Sequence, residues 1–264
     1  MDTADAGAAR SNEAPPVRVH AEGDVVVVTL DRPDRANALD AEAARAVGEA
    51  IAQAHDARAI ILTGTGKAFC AGGNLEELDR WSGLDAGEIS SALYENFQGM
   101  IRAVRSTPAI VVAAINGAAV GAGCDLALAC DLRVAGRSAR LGQVWVGLGV
   151  IPGTGGAYLT QALAGPTRAA HMLLTGELVD AERALARGLV NSVVDDDRLM
   201  DEARAVAAAV LRHPRDGVIA NKRAMTAATE DALEAALRHA AEVQPERFRS
   251  DEFKSALGAR LRRS

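Results

Sequence analysis

Two glycine-rich segments carry the residues best suited to chemistry. The first is Gly66-Lys67-Ala68-Phe69-Cys70-Ala71-Gly72-Gly73-Asn74-Leu75. The second is Asn116-Gly117-Ala118-Ala119-Val120-Gly121-Ala122-Gly123-Cys124-Asp125. Each follows an apolar run that reads as a buried strand and precedes a helical pattern. Small residues let a ligand approach the backbone closely. Exposed amides at a helix start, aided by the helix dipole, suit negative charge. Two such amides converging on one point would form an oxyanion hole. The alternative is a pair of ordinary strand-to-helix turns. Neither segment is a nucleotide motif. Gly64-Thr65-Gly66-Lys67 lacks the upstream glycine and following Ser/Thr of a phosphate loop, and Gly121-Ala122-Gly123 lacks the third glycine of a dinucleotide fingerprint.

The elements that must position these segments alternate in type. Residues 17–20 and 25–30 read as strands parted by Glu22-Gly23. Residues 40–55 read as an alanine-rich helix and 59–63 as a short buried strand. Ile89, Leu93, Phe97, Ile101 and Val104 recur at helical spacing until Pro108 ends the pattern. Residues 109–115 form another buried run, Asn116-Gly117 a turn, and 131–135 is again strand-like. Strands alternating with helices mean α/β. After Val194 the pattern is nearly all helical, over residues 197–212, 216–227, 231–242 and 250–261. The expected organisation is a disordered N-terminal tail over 1–16, an α/β core over 17–195 and a C-terminal helical region over 196–264. No low-complexity linker divides the last two, so they should pack together.

Composition narrows the function classes. Aromatic residues are 3% of the 264, so the core must be closely packed Ala, Val, Leu and Ile. The formal net charge of −6 argues against general nucleic-acid binding, which relies on clustered cations. Cys70, Cys124 and Cys130 show neither CxxC spacing nor nearby histidines, so neither a disulfide framework nor a metal site is expected. The N-terminal stretch lacks the cationic start and apolar centre of a signal peptide. No apolar run is long enough to span a membrane, and a reducing cytoplasm is the expected location.

Taken in order, the motifs closely resemble those of the crotonase superfamily, also called the enoyl-CoA hydratase/isomerase family. Arg32-Pro33 with Ala36-Asn37-Ala38-Leu39 is similar to its opening signature. Ala68 to Leu75 is similar to its first oxyanion loop, and Ala114 to Asp125, then Ala129-Cys130-Asp131, to its second. Gly142-Gln143, Gly149, Ile151-Pro152-Gly153 and Gly155-Gly156 match the stretch that follows. Thr175-Gly176, Ala181, Ala184 and Gly188-Leu189-Val190 match its late signature. The resemblance covers nearly everything from Val17 onward. It implies a spiral of ββα units, with a C-terminal helical oligomerisation region that builds homotrimers or dimers of trimers. It implies an acyl-CoA substrate, with CoA entering as part of that substrate and no separate cofactor. It makes Gly73 and Ala122 the oxyanion amides, the second being glycine in many relatives. It places CoA near Arg35, Ala36, Ala38, Ala71, Gly72, Asn74 and Leu75, with Lys254 reaching it from the C-terminal region. Solvated surface charge is the alternative for Arg35 and Lys254.

The chain departs from the pattern at its acids. Hydratases of the family use two glutamates, which fall on Asp125 and Trp145 here. By resemblance Asp125 is the catalytic acid or base; alternatively it stabilises a helix N-terminus. Trp145 cannot abstract a proton, but can donate one hydrogen bond and fill an acyl pocket. A dehalogenase branch also carries tryptophan there, but its nucleophilic aspartate falls on Gly153. A dienoyl-CoA isomerase branch shares aspartate at Asp125, yet keeps acids where this chain has Trp145 and Gly153. Trp81 and Tyr94 lie in the region that shapes the family's acyl pocket. Glu76, Glu77 and Asp79 either line that pocket or form a solvated helix face. His20, His55, His171, His213 and His239 fall on no catalytic position. The expected function is acyl-CoA chemistry through an enolate, favouring isomerisation over hydration because one acid remains. The alternatives are a non-catalytic acyl-CoA binder, or a decarboxylase or lyase on a malonyl- or aryl-type thioester.

Overall fold

The computed structural model of the chain describes residues 14–262, so most of the expected 1–16 tail lies outside the described residues. The strands are β1 (Val17–Glu22), β2 (Val25–Leu30), β3 (Ala59–Gly64), β4 (Ala68–Cys70), β5 (Ile110–Ile115), β6 (Ala118–Val120), β7 (Leu132–Gly136), β8 (Arg140–Gly142), β9 (Leu178–Asp180) and β10 (Ser192–Val194). The helices are α1 (Ala41–Gln53), α2 (Leu75–Trp81), α3 (Ala86–Ala92), α4 (Gly99–Ser106), α5 (Ala122–Ala129), α6 (Gly156–Ala164), α7 (Pro166–Thr175), α8 (Ala181–Ala186), α9 (Leu199–Leu211), α10 (Arg215–Ala227), α11 (Glu230–Arg249) and α12 (Asp251–Leu261).

Two sheets result, ordered β1-β2-β3-β5-β7-β10 and β4-β6-β8-β9. The pairs β3/β4, β5/β6 and β7/β8 each send one strand to each sheet, and equivalent strands pair in parallel. This is the expected ββα spiral. The three-residue strands β4, β6, β8 and β9 went unread in the sequence, because so short a run has no periodicity to detect.

Alternation in the long strands divides the core. Val28, Leu30, Ile60, Leu62, Val111 and Ala113 face the large cluster that contains α1, α4 and α5. Val27, Ala59, Ile61, Val112 and Ala114 face the opposite side, where Leu199, Ala203 and Ala207 of α9 cover them. The helical stretch expected around Ile89 to Val104 is continuous, but contains a π-helical segment, Leu93–Gln98. Gln98 from that segment donates to the carbonyls of Gly153 and Leu237, tying α11 to the site.

α11 extends past the expected end at Glu242, through Pro245 to Arg249. Proline has no N–H for the carbonyl one turn earlier. Ser90 Oγ donates to that carbonyl, on Ala241, at 2.9 Å. The extension carries Gln244 and Phe248 into the core, where Phe248 packs edge-on against Trp81 and Phe253. The C-terminal helices therefore form part of the wall around the glycine-rich loops.

Candidate active site

β4 and β6 lie side by side, so the loops that leave them run together. Gly72 (φ +94°) sits at their closest approach. A Cβ there would stand 2.6 Å from the Val120 carbonyl oxygen and 3.5 Å from the Ala122 nitrogen. Only glycine allows this contact. Gly73 forms a single bridge with Leu39, in which Leu39 donates to the Gly72 carbonyl and Asn74 donates to the Leu39 carbonyl. The Gly73 N–H takes no part in that bridge. Ala122 is the first residue of α5, where an N–H has no helical partner.

Gly73 and Ala122 line one small cavity of about 20 Å³, with Leu78, Trp81, Leu93, Phe97, Trp145, Gly153, Thr154, Gln244 and Phe248. Among the described residues no ionisable side chain lines it. The Trp145 indole lies across both loops. Its ring stands 3.5 Å from a Cβ built on Gly73 and 3.2 Å from one built on Gly121. Its Nε1 is buried without a hydrogen-bond partner among the described residues. Of the two residues expected to shape an acyl pocket, Trp81 lines the cavity. Tyr94 is exposed, with the Arg102 guanidinium over its ring at 4.3 Å.

A groove of about 350 Å³ meets the cavity at Gly73, which lines both. Arg35, Ala38, Ala71, Asn74 and Leu75, all expected near CoA, are brought together on the groove wall. Ala36 and Gly72 stand behind it, their carbonyls occupied by the N–H groups of Ala71 and Leu39. Ala36 and Asn37 both have positive φ, at 50° and 56°. Asn37 holds that unusual turn by accepting from the Arg32 N–H and donating to the carbonyls of Thr65 and Ala68. The Asn74 side chain caps α2 by accepting from the Glu77 N–H. Lys254 is on α12 but does not line the groove. Arg260, near the end of that helix, does. Sequence reading missed Arg260 because only the return of α12 brings it to Arg35.

Glu76 and Asp79 are exposed, as a solvated helix face requires, whereas Glu77 departs from both readings. It is buried rather than solvated, and does not line the cavity. Its carboxylate accepts from the Ala41 N–H at the start of α1, and burial raises its pKa. It clamps α1 to the first loop.

Asp125 is 0% exposed and does not line the cavity. It lies in the first turn of α5, as the alternative reading has it, but its carboxylate bonds to other elements. Gln143 Nε2 donates to Oδ1 at 2.6 Å, and Thr154 Oγ1 donates to Oδ2 at 2.5 Å. The backbone N–H groups of Gly156 and Thr154 are directed at it as well, so it sits at the start of α6. A Cβ on Gly156 would fall 1.9 Å from Oδ1, so glycine makes room for the carboxylate. Burial pushes the Asp125 pKa up to about 6, against the lowering effect of these donors. Gln143 also reaches Thr160 Oγ1.

Comparison with known proteins agrees with this architecture. The family model for enoyl-CoA hydratase/isomerase matches residues 20–262. A probable enoyl-CoA hydratase of Rhodobacter capsulatus is 35% identical over 246 residues, covering 93% of this chain and 94% of its own. The 1,2-epoxyphenylacetyl-CoA isomerase of Escherichia coli is 32% identical over 245 residues, covering 92% and 94%. The crystal structure of an enoyl-CoA hydratase/isomerase from Mycobacterium paratuberculosis superposes with a TM-score of 0.87 at 29% identity, covering 94% of this chain and 99% of that one. A match spanning the spiral, both loops and the C-terminal helices makes this chain a member of the enoyl-CoA hydratase/isomerase family.

Proposed function

We propose that the protein is an acyl-CoA isomerase working through a thioester enolate. The carrying observation is that Gly73 and Ala122 line one cavity, and that Gly73 also lines the neighbouring groove with Arg35 and Arg260. In this reading the CoA phosphates lie near the two guanidinium groups. The thioester oxygen reaches the two amides, whose donation strengthens as negative charge develops on it. The acyl chain enters the cavity beside Trp145. At about 20 Å³ the cavity has room for little more than a water, so the acyl chain enters as Trp145 or Phe97 moves aside.

Isomerisation is favoured over hydration by the wall itself. Adding water across a double bond calls for groups that activate the water and deliver a proton. The position of the second acid is Trp145, and the remaining wall is apolar apart from Thr154 and Gln244. Gln244 is occupied on both sides by the Ile151 backbone. Moving one proton along the acyl chain needs a single carrier, and Asp125 stands behind Thr154 to serve as its final acceptor.

The test is to mix the protein with a series of 3-enoyl-CoA and trans-2-enoyl-CoA esters. Growth of the conjugated thioester absorbance from the 3-enoyl esters, with unchanged product mass, is expected. Loss of absorbance from the 2-enoyl esters with a gain of one water would instead make it a hydratase. Tight binding with no turnover of either series would make it a binder.

A further inference from the structure

Gly73 and Ala122 line the cavity, and the Asp125 carboxylate lies outside it. Thr154 spans this gap. It lines the cavity with Gly73 and Ala122, is 2% exposed, and its hydroxyl donates to Asp125 Oδ2 at 2.5 Å. Resting on the enolate reading above, we infer that Thr154 is a catalytic residue that shuttles the proton between the substrate carbon and Asp125.

The bonds around Thr154 set the direction of transfer. A hydroxyl has one proton and two lone pairs. Its proton is committed to Asp125, which leaves Oγ1 as an acceptor. Asp125 receives donors from Gln143 on one oxygen and Thr154 on the other, so its carboxylate is fixed in place. Gln98 holds the neighbouring residue, Gly153, through its carbonyl at 3.0 Å. The loop bearing Thr154 is therefore fastened on both sides, as proton transfer at hydrogen-bond distance requires.

The step balances without any co-reactant. The substrate α-C–H bond breaks and its electron pair moves into the thioester, leaving an enolate whose oxygen is held by Gly73 and Ala122. The released proton bonds to Thr154 Oγ1 as the original Thr154 proton passes to Asp125 Oδ2. Threonine is a weak base alone, but in the concerted step the carboxylate supplies the basicity. The reverse relay at the γ-carbon breaks the Asp125 O–H bond and gives the carbon the proton held by Thr154. The double bond has then moved by one position, and both side chains have returned to their starting states.

The experiment follows exchange of the α-protons of butyryl-CoA in deuterium oxide by mass spectrometry, with binding measured by calorimetry. Wild-type protein should incorporate deuterium. Thr154→Val keeps the side-chain shape and lacks the hydroxyl; its exchange should be on the order of 100-fold slower or worse, with the dissociation constant nearly unchanged. Thr154→Ser should recover exchange to within about tenfold of wild type. If Thr154→Val does not yield folded protein, Thr154→Ala is read in the same way. Exchange by the hydroxyl-free variant at the wild-type rate would overturn the shuttle while leaving the enolate reading standing. Failure of serine to recover exchange would also overturn it, making Thr154 a packing residue. No exchange by wild-type protein that binds the ester would remove the enolate reading and the shuttle together.

Discussion

The loop through Gly73 and the loop through Ala122 both leave a three-residue strand for a helix, but the helices differ in their surroundings. α2 is seven residues long and flanks the open groove, with Asn74, Leu75 and Glu76 on its wall. It is held from outside by the Asn74 cap and by the grip of Glu77 on α1. All eight residues of α5 are buried, and its acid is tied to Gln143, Thr154 and the start of α6. In the proposed reading the first loop therefore combines an oxyanion amide with ligand capture at an accessible edge. In the same reading the second combines the other amide with a buried proton store.

Closing the loops on each other should matter most. Gly72→Ala would drive a methyl into the Val120 carbonyl at a backbone angle unfavourable for alanine. We expect a loss of about 2–4 kcal/mol in urea unfolding, together with loss of isomerisation. A variant of wild-type stability and activity would show that the loops need not be this close.

The buried acid gives the next effect. Asp125 must be ionised to accept a proton, and its carboxyl is pushed up to about 6. The kcat/KM should rise about tenfold per pH unit below this value and level off above it. Gln143, Thr154 and Thr160 do not titrate in this window, and burial pushes the nearby Cys70 thiol up to about 12 and raises that of Cys124 as well. Stability should move oppositely. A carboxyl with a raised folded-state pKa contributes most below the ordinary value of 3.8, and that contribution is lost as pH rises through about 6. The difference is on the order of 2–3 kcal/mol. Urea unfolding of wild type and Asp125→Asn between pH 4 and pH 7 (a range of about 3 units) measures it.

The open edge gives the smallest effect. Arg260→Ala should raise KM by roughly 5–30-fold with little change in kcat, as expected when binding is lost equally from ground and transition states. Lys254→Ala should change neither constant by more than about twofold. Steady-state kinetics of both variants checks whether the cation for CoA comes from the end of α12 or from its first turn.

The contrast between the loops also marks what could be read from sequence. The loops themselves were legible, since strings of Gly and Ala between apolar runs are what close backbone approach demands. So were the long strands and helices, whose apolar periodicity matches the two core clusters. The short second sheet was not, because three residues carry no period. The course of α11 depends on Ser90 compensating for Pro245 by a bond to the Ala241 carbonyl, 151 residues away. Arg260 and Thr154 acquire their positions in the same way, from chain segments that meet only in the folded protein. Thr154 in particular appears in sequence as one small residue among glycines, and its bond to Asp125 gives it chemical meaning.

Enolate stabilisation by two amides is tested most directly with acetoacetyl-CoA, whose enolate absorbs in the near ultraviolet. Ala122→Pro removes one N–H at the first position of α5, where proline is tolerated in a helix. Wild-type protein should bring up the enolate band at a pH where the free ester is mostly neutral. Ala122→Pro should still bind CoA, with the band weakened by roughly the 3–4 kcal/mol that one such donor provides. A wild-type complex without the band, or an equal band from a folded Ala122→Pro protein, would contradict the two-amide site.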